Sequence, residues 1–126
     1  RDYYASRGLG DVYKRQQLTR KRDLLMEKHR DSLKLGLQRY NEAMAGQTTV
    51  LWKKHDFESF ASYYSLVDVE YVASLDAEYD GLSPKQKFFL IMEHMDKSET
   101  EIQNALGVAE VTMRSIRSRI GKKHKA

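Results

Sequence analysis

Apolar residues along this chain recur at helical rather than alternating spacing, in successive stretches separated by turn-forming residues. From Gln17 to Ala45 there is no proline, and Met26, Leu33, Leu37, Tyr40 and Met44 follow one another at intervals of 7, 4, 3 and 4, which predicts a long amphipathic helix. Its roughly 29 residues would span about 43 Å, longer than a small domain is wide, so part of it is expected to project. The stripe suits either a coiled-coil homodimer or packing on the chain's own domain. Asp23 and Arg30 fall where a coiled-coil seam needs apolar residues, and Gly36 weakens the middle.

After a break at Gly46 to Thr49, the residues Trp52, Phe57, Phe60, Tyr63, Tyr64 and Val67 form an aromatic-rich helical pattern. Only Lys53 and Lys54 are basic there, so core packing is expected rather than base stacking. Asp68 reads as the N-cap of a helix carrying Val69, Val72, Leu75 and Tyr79 and stopping at Gly81. Ser83-Pro84 opens a helix expected to run from Pro84 to Lys97, with Phe88, Phe89, Ile91, Met92 and Met95 on its apolar face.

Ser98-Glu99-Thr100-Glu101 is a capping box, followed by a short helix with Ile102, Ala105 and Leu106 inside. Gly107 supplies a left-handed turn and Val108 plugs it. A last helix is expected from Ala109 to Lys122. At 100° per residue, Met113, Ile116 and Ile120 cluster with Ala109 as the core face. Val111, Arg114, Ser115, Ser118 and Lys122 lie opposite, with Thr112 and Arg119 on one flank and Arg117 nearer the core. A short helix, a glycine turn and a second helix with a small, polar and basic outer face is the arrangement a helix-turn-helix needs. The second helix enters the major groove, where small residues allow close approach and arginine reads guanine or pairs with phosphate.

Composition sharpens this picture. A single proline among 126 residues, 32% of them charged, favours an all-α domain over a barrel or sandwich. The absence of cysteine excludes disulfides, thiol catalysis and cysteine-held metals. No run suits a membrane span or a secretory signal, so a soluble, cytoplasmic protein is expected. The net charge of +4 is polarised: +5 over residues 1–45, −5 over 46–80 and +4 over 81–126, the final twenty residues alone carrying six bases against Glu110. That end is where a polyanion is expected.

Leu82-Ser83-Pro84, Ser98-Glu99-Thr100-Glu101-Ile102, Leu106-Gly107-Val108 and Thr112-Met113-Arg114 to Ile120 together resemble the LuxR-type helix-turn-helix, a four-helix DNA-binding domain. The preceding stretch from Leu51 resembles that of Bacteroidetes regulators in which a helical linker joins a tetratricopeptide or sensor region, often membrane-tethered, to the helix-turn-helix. The resemblance covers about residues 50–123, and implies a transcription regulator whose upstream sensor or repeat region is missing from this fragment. Ala109 and Gln103 depart from the family pattern, which has a capping serine and a small alanine at those places.

The DNA-binding residues expected on this reading are Thr100, Val111, Thr112, Arg114, Ser115, Ser118, Arg119, Lys122 and Lys123, with double-stranded DNA as partner and a homodimer formed through the long helix. The alternatives are a helical protein-interaction module, using the long helix and the acidic aromatic block, and a fragment like region four of a sigma factor. No enzyme is expected, and no cofactor or metal: His29, His55, His94 and His124 are scattered, and no phosphate loop or nucleophile signature occurs. Residues 1–16, starting with Arg1 rather than Met, are expected to be an irregular lead-in or an artefact, since Asp11 to Gln16 resembles translated sequencing-adapter DNA.

Overall fold

In a computed structural model, residues 2–125 are described, with side chains from Gln16 onward apart from residue 18. They form six helices and no strand, so the chain is all-α: α1 Asp2–Met44, α2 Lys54–Val67, α3 Val69–Glu78, α4 Pro84–His94, α5 Glu99–Leu106 and α6 Glu110–Lys123. None of the helices among the described residues is long and apolar enough to cross a membrane. The chain divides into two compact units, Arg1–Asp31 and Ser32–Ala126.

The first unit is helical throughout its described length, which corrects the expectation of an irregular stretch at 2–16. Gly8 and Gly10 each cost about 1 kcal/mol of helix propensity. Neither removes an amide as proline would, so neither ends the helix. Leu24, Leu25 and Met26 lie more than half exposed on it.

The second unit is built around Phe60, Phe88, Phe89, Ile91, Met92, Ile102 and Met113, all with essentially no exposed surface. The aromatic block is core, as its acidic surroundings suggested. Phe60 and Phe88 meet edge to face at 4.9 Å between ring centres, and Trp52 meets Phe88 in the same way at 5.5 Å. Val67 and Val69, read as part of the helical apolar pattern, are instead exposed at the α2–α3 junction, where Asp68 breaks the helix and redirects the chain.

Residues 32–44 of α1 pack against α2, although Leu37 of the expected apolar stripe stays exposed. The contact runs through Ser32, Gly36 and Tyr40, about a turn apart. Ser32 Oγ lies 3.1 Å from Ser59 Oγ, and Tyr40 packs against the rings of Phe60, Tyr63 and Tyr64. A Cβ at Gly36 would run into the Ser59 carbonyl and lie 2.7 Å from Tyr63 Cβ. Gly36 therefore permits the closest approach of the two helices rather than merely weakening one of them.

A partly buried ion pair closes this contact. Arg39 donates to Asp56 at 2.9 Å and, bidentate, to Glu42 at 2.8 and 2.9 Å. Asp56 also accepts from the Lys53 amide at 2.8 Å, serving the first turn of α2. Burial alone would raise the Asp56 carboxyl, but the Lys53 amide and Arg39 outweigh it and hold it below its ordinary value.

The remaining boundaries follow from caps. Asp68 accepts from the Tyr71 amide at 3.1 Å, as expected of an N-cap. Ser83 opens α4 with a full capping box, its hydroxyl accepting from the Gln86 amide while Gln86 accepts from the Ser83 amide. Helix α4 ends at His94 rather than Lys97, because Asp96 turns left-handed at φ 59° and the Lys97 amide folds back onto the Met92 carbonyl. Aspartate tolerates that conformation better than most non-glycine residues.

Candidate nucleic-acid interface

The two helices of the motif are set by local chemistry at each end. Ser98 Oγ accepts from the Glu101 amide at 3.1 Å and Glu101 accepts from the Ser98 amide at 3.0 Å, forming the expected capping box. The Ser98 amide bond holds the Glu101 carboxyl below its ordinary value. At the other end Gly107 is left-handed at φ 64°, and its amide and that of Val108 cap the carbonyls of Asn104 and Gln103. The Ala105 carbonyl, another acceptor the helix leaves open, takes both the amide (2.7 Å) and the hydroxyl (3.0 Å) of buried Thr49. A Cβ on Gly107 would lie 2.5 Å from a Val50 methyl, so conformation and space both call for glycine.

Helix α6 starts without a side-chain cap, since the methyl of Ala109 cannot accept a hydrogen bond. Met113 and Ile120 are buried and Ile116 is half-buried, as the helical period assigned, but Ala109, expected on the same core face, is exposed, because it stands as the extended N-cap before the first helical turn. Val111 is 70% exposed. Thr112, Arg114, Ser115, Ser118, Arg119 and Lys122 are also exposed, as is Thr100 near the start of α5. An apolar side chain left in water among small polar and basic ones is what a helix needs to meet thymine methyls and base edges.

The cations near this face divide by what holds them. Arg117 braces the motif from within: its guanidinium donates to Glu99 at 2.6 Å, lies 3.6 Å from Glu93 and sits over the Phe89 ring at 5.6 Å. The Glu99 bond raises its pKa against the cost of burial. Arg114 makes a within-helix pair with Glu110 at 3.2 Å, both largely exposed, so the pair holds it weakly. Lys123, expected to face DNA, turns its ammonium inward to the Gly81 carbonyl at 2.9 Å and to Gln86 at 2.6 Å. Arg119 and Lys122 have no carboxylate partner among the described residues, and neither does Lys85 on α4.

Sequence reasoning missed how the end of α6 is fastened. The Asp80 amide donates to the Lys123 carbonyl and the Lys125 amide to the Glu78 carbonyl, both at 2.8 Å, so that Tyr79 and His124 pair as two extended residues. Their rings meet edge to face at 5.0 Å, and Lys125 reaches Asp80 at 3.5 Å. The last basic residues thus clasp α6 to the α3–α4 connection. Elsewhere, His94 bonds Asp68 at 2.9 Å and stacks on Tyr71 at 3.6 Å, a pairing 26 residues apart in sequence. The His94 bond holds the Asp68 carboxyl below its ordinary value. Among the described residues, histidines and acids form no group able to hold a metal.

Compared with protein-family models, curated proteins and solved structures, the chain matches none.

Proposed function

We propose that this chain is the DNA-binding part of a transcription regulator, with α5 bracing the backbone and α6 lying in the major groove of double-stranded DNA. The observation that carries the reading is the outer face of α6. Val111, Ser115 and Ser118 are small and exposed, Arg114 and Lys122 rise from the same face, and exposed Thr112 and Arg119 flank it, on a helix whose other side is locked by Met113 and Ile120. Such a face has no packing role, and its chemistry fits base edges and phosphates. The likeness of the Ser98-to-Ile120 motifs to a LuxR-type helix-turn-helix supports the same reading, and a protein of this kind would act in the cytoplasm.

The interaction-module alternative loses much of its expected surface, because Phe57, Phe60 and Tyr64 are buried. The exposed Leu24, Leu25 and Met26 offer a place for a second copy to join, and two half-sites would then be read at once. Selection of bound duplexes from a random pool tests the assignment. Recovery of a short motif by the wild type, and its blurring by Arg114→Ala, would support it. Failure to enrich any sequence or to retain any duplex would refute it.

A further inference from the structure

Nine lysines and arginines lie between Gly81 and Ala126, and most have a partner within the chain. Lys87 pairs with Asp76, Lys97 with Glu101, Arg114 with Glu110, Arg117 with Glu93 and Glu99, and Lys125 with Asp80, while Lys123 serves Gly81 and Gln86. Among the described residues three have no such partner: Lys85, Arg119 and Lys122. Two of these three line one groove. Between the start of α4 and the flank of α6, Lys85, Gln86 and Ser83 face Thr112, Ile116 and Arg119 across an open cleft of about 220 Å³. No carboxylate lines it. By contrast, the larger groove bordered by Lys87, on the same helix, is lined by Glu58 and Asp76 as well.

Resting on the DNA-binding reading above, we infer that this cleft is a phosphate clamp for the DNA backbone, and that Lys85 is a DNA-contacting residue outside the helix-turn-helix. Two cations left unneutralised on opposite walls of a cleft repel each other, and an anion between them relieves that repulsion. The hydroxyl of Thr112 adds a donor for a phosphate oxygen. The end of α4 is closed by its own Ser83–Gln86 capping box, so the positive charge belongs to side chains. Thr112 and Arg119 lie on the flank of α6, beside the exposed face that would enter the groove. A phosphate held there would belong to the strand bordering that groove, and Lys85 would fix the helix's register rather than read sequence.

The experiment measures binding of the full chain to a fluorescent random-sequence duplex across roughly 50 to 200 mM salt, for wild type, Lys85→Gln and Lys87→Gln. Both variants remove one positive charge from α4, but only one removes it from the cleft. Lys85→Gln should flatten the slope of log affinity against log salt by about 0.9 and weaken binding several-fold for all sequences alike. Lys87→Gln should leave the slope unchanged, and Lys85→Arg should restore it. Lys85 is exposed, so its variants should show wild-type circular dichroism and melting. An unchanged slope in Lys85→Gln, or an equal change in Lys87→Gln, overturns the clamp while the α6 reading stands. A wild type that binds no duplex overturns both.

Discussion

Arg114 and Arg117 stand three residues apart on α6 and differ in what holds them. Arg117 is held by two glutamates and an aromatic ring, whereas Arg114 has one exposed partner from which it is easily drawn away. Arg114→Ala should therefore cost about 1 to 3 kcal/mol of DNA affinity if it reads a base, with melting unchanged. Arg117→Ala should lower stability by up to about 1 kcal/mol, its pairs being partly solvated. Anisotropy titration and thermal melting of both variants check the division of roles, and a reversed pattern would show that the faces are misassigned. Acid should expose a second residue-scale effect. Asp56, Asp68 and Glu101 are all held below their ordinary values of 3.8, 3.8 and 4.5. Groups depressed on folding stabilise the fold fully above those values, and that stability is lost as pH falls through the folded pKa. The melting temperature should thus fall below about pH 4, chiefly through the buried Asp56, since Asp68 and Glu101 are screened by solvent. Asp56→Asn, costing about 1 to 3 kcal/mol at neutral pH, should make the acid limb shallower. An unaltered acid limb would remove Asp56 from this role.

At the scale of elements, Gly36 separates two physical effects of opposite sign. Helix propensity alone says that Gly36→Ala should stabilise α1 by about 1 kcal/mol. The packing says otherwise, because the new methyl would meet the Ser59 carbonyl and Tyr63 Cβ, which are backbone-fixed atoms with little freedom to retreat. A net loss of about 1 to 3 kcal/mol is expected, read as a melting temperature lower by several degrees. A rise would mean that α1 and α2 are not in close contact there. This residue also marks the limit of what the sequence discloses. Caps are local, so Asp68, Ser83, the Ser98–Glu101 box and Gly107 were legible in order, and the faces of α6 followed from the positions of Met113 and Ile120. A glycine inside a helix reads as weakness until the partner helix is known. The inward turn of Lys123, the clasp of residues 78–80 on 123–125, and the pairing of His94 with Asp68 are contacts between distant segments with no periodic signature. The same holds for Lys85, whose significance comes from the cleft it borders rather than from its neighbours in sequence. The end of α4 at His94 was poorly indicated, because an aspartate turning left-handed at Asp96 carries no signal as plain as a glycine's.

For the molecule as a whole, the division into two units changes how dimerisation must be tested. Cutting at residue 47 would strip Tyr40 and Ala43 from the core, whereas a chain of residues 32–126 keeps every contact within the second unit. That shorter chain should melt like the full one, yet bind a duplex with two half-sites at least about tenfold more weakly, since joining two copies multiplies affinity without new contacts. Equal mass in solution and equal affinity would leave residues 1–31 no part in pairing. The DNA-binding reading itself rests on the exposed outer face of α6. With Arg114, drawn from its exposed glutamate, and with Arg119 and Lys122 engaging about three phosphates, the affinity of the chain for duplex DNA should fall with salt along a log–log line of slope roughly −3. A salt titration of duplex binding measures this directly, and a chain that retains no duplex at low salt, or binds it with no dependence on salt, would contradict the assignment.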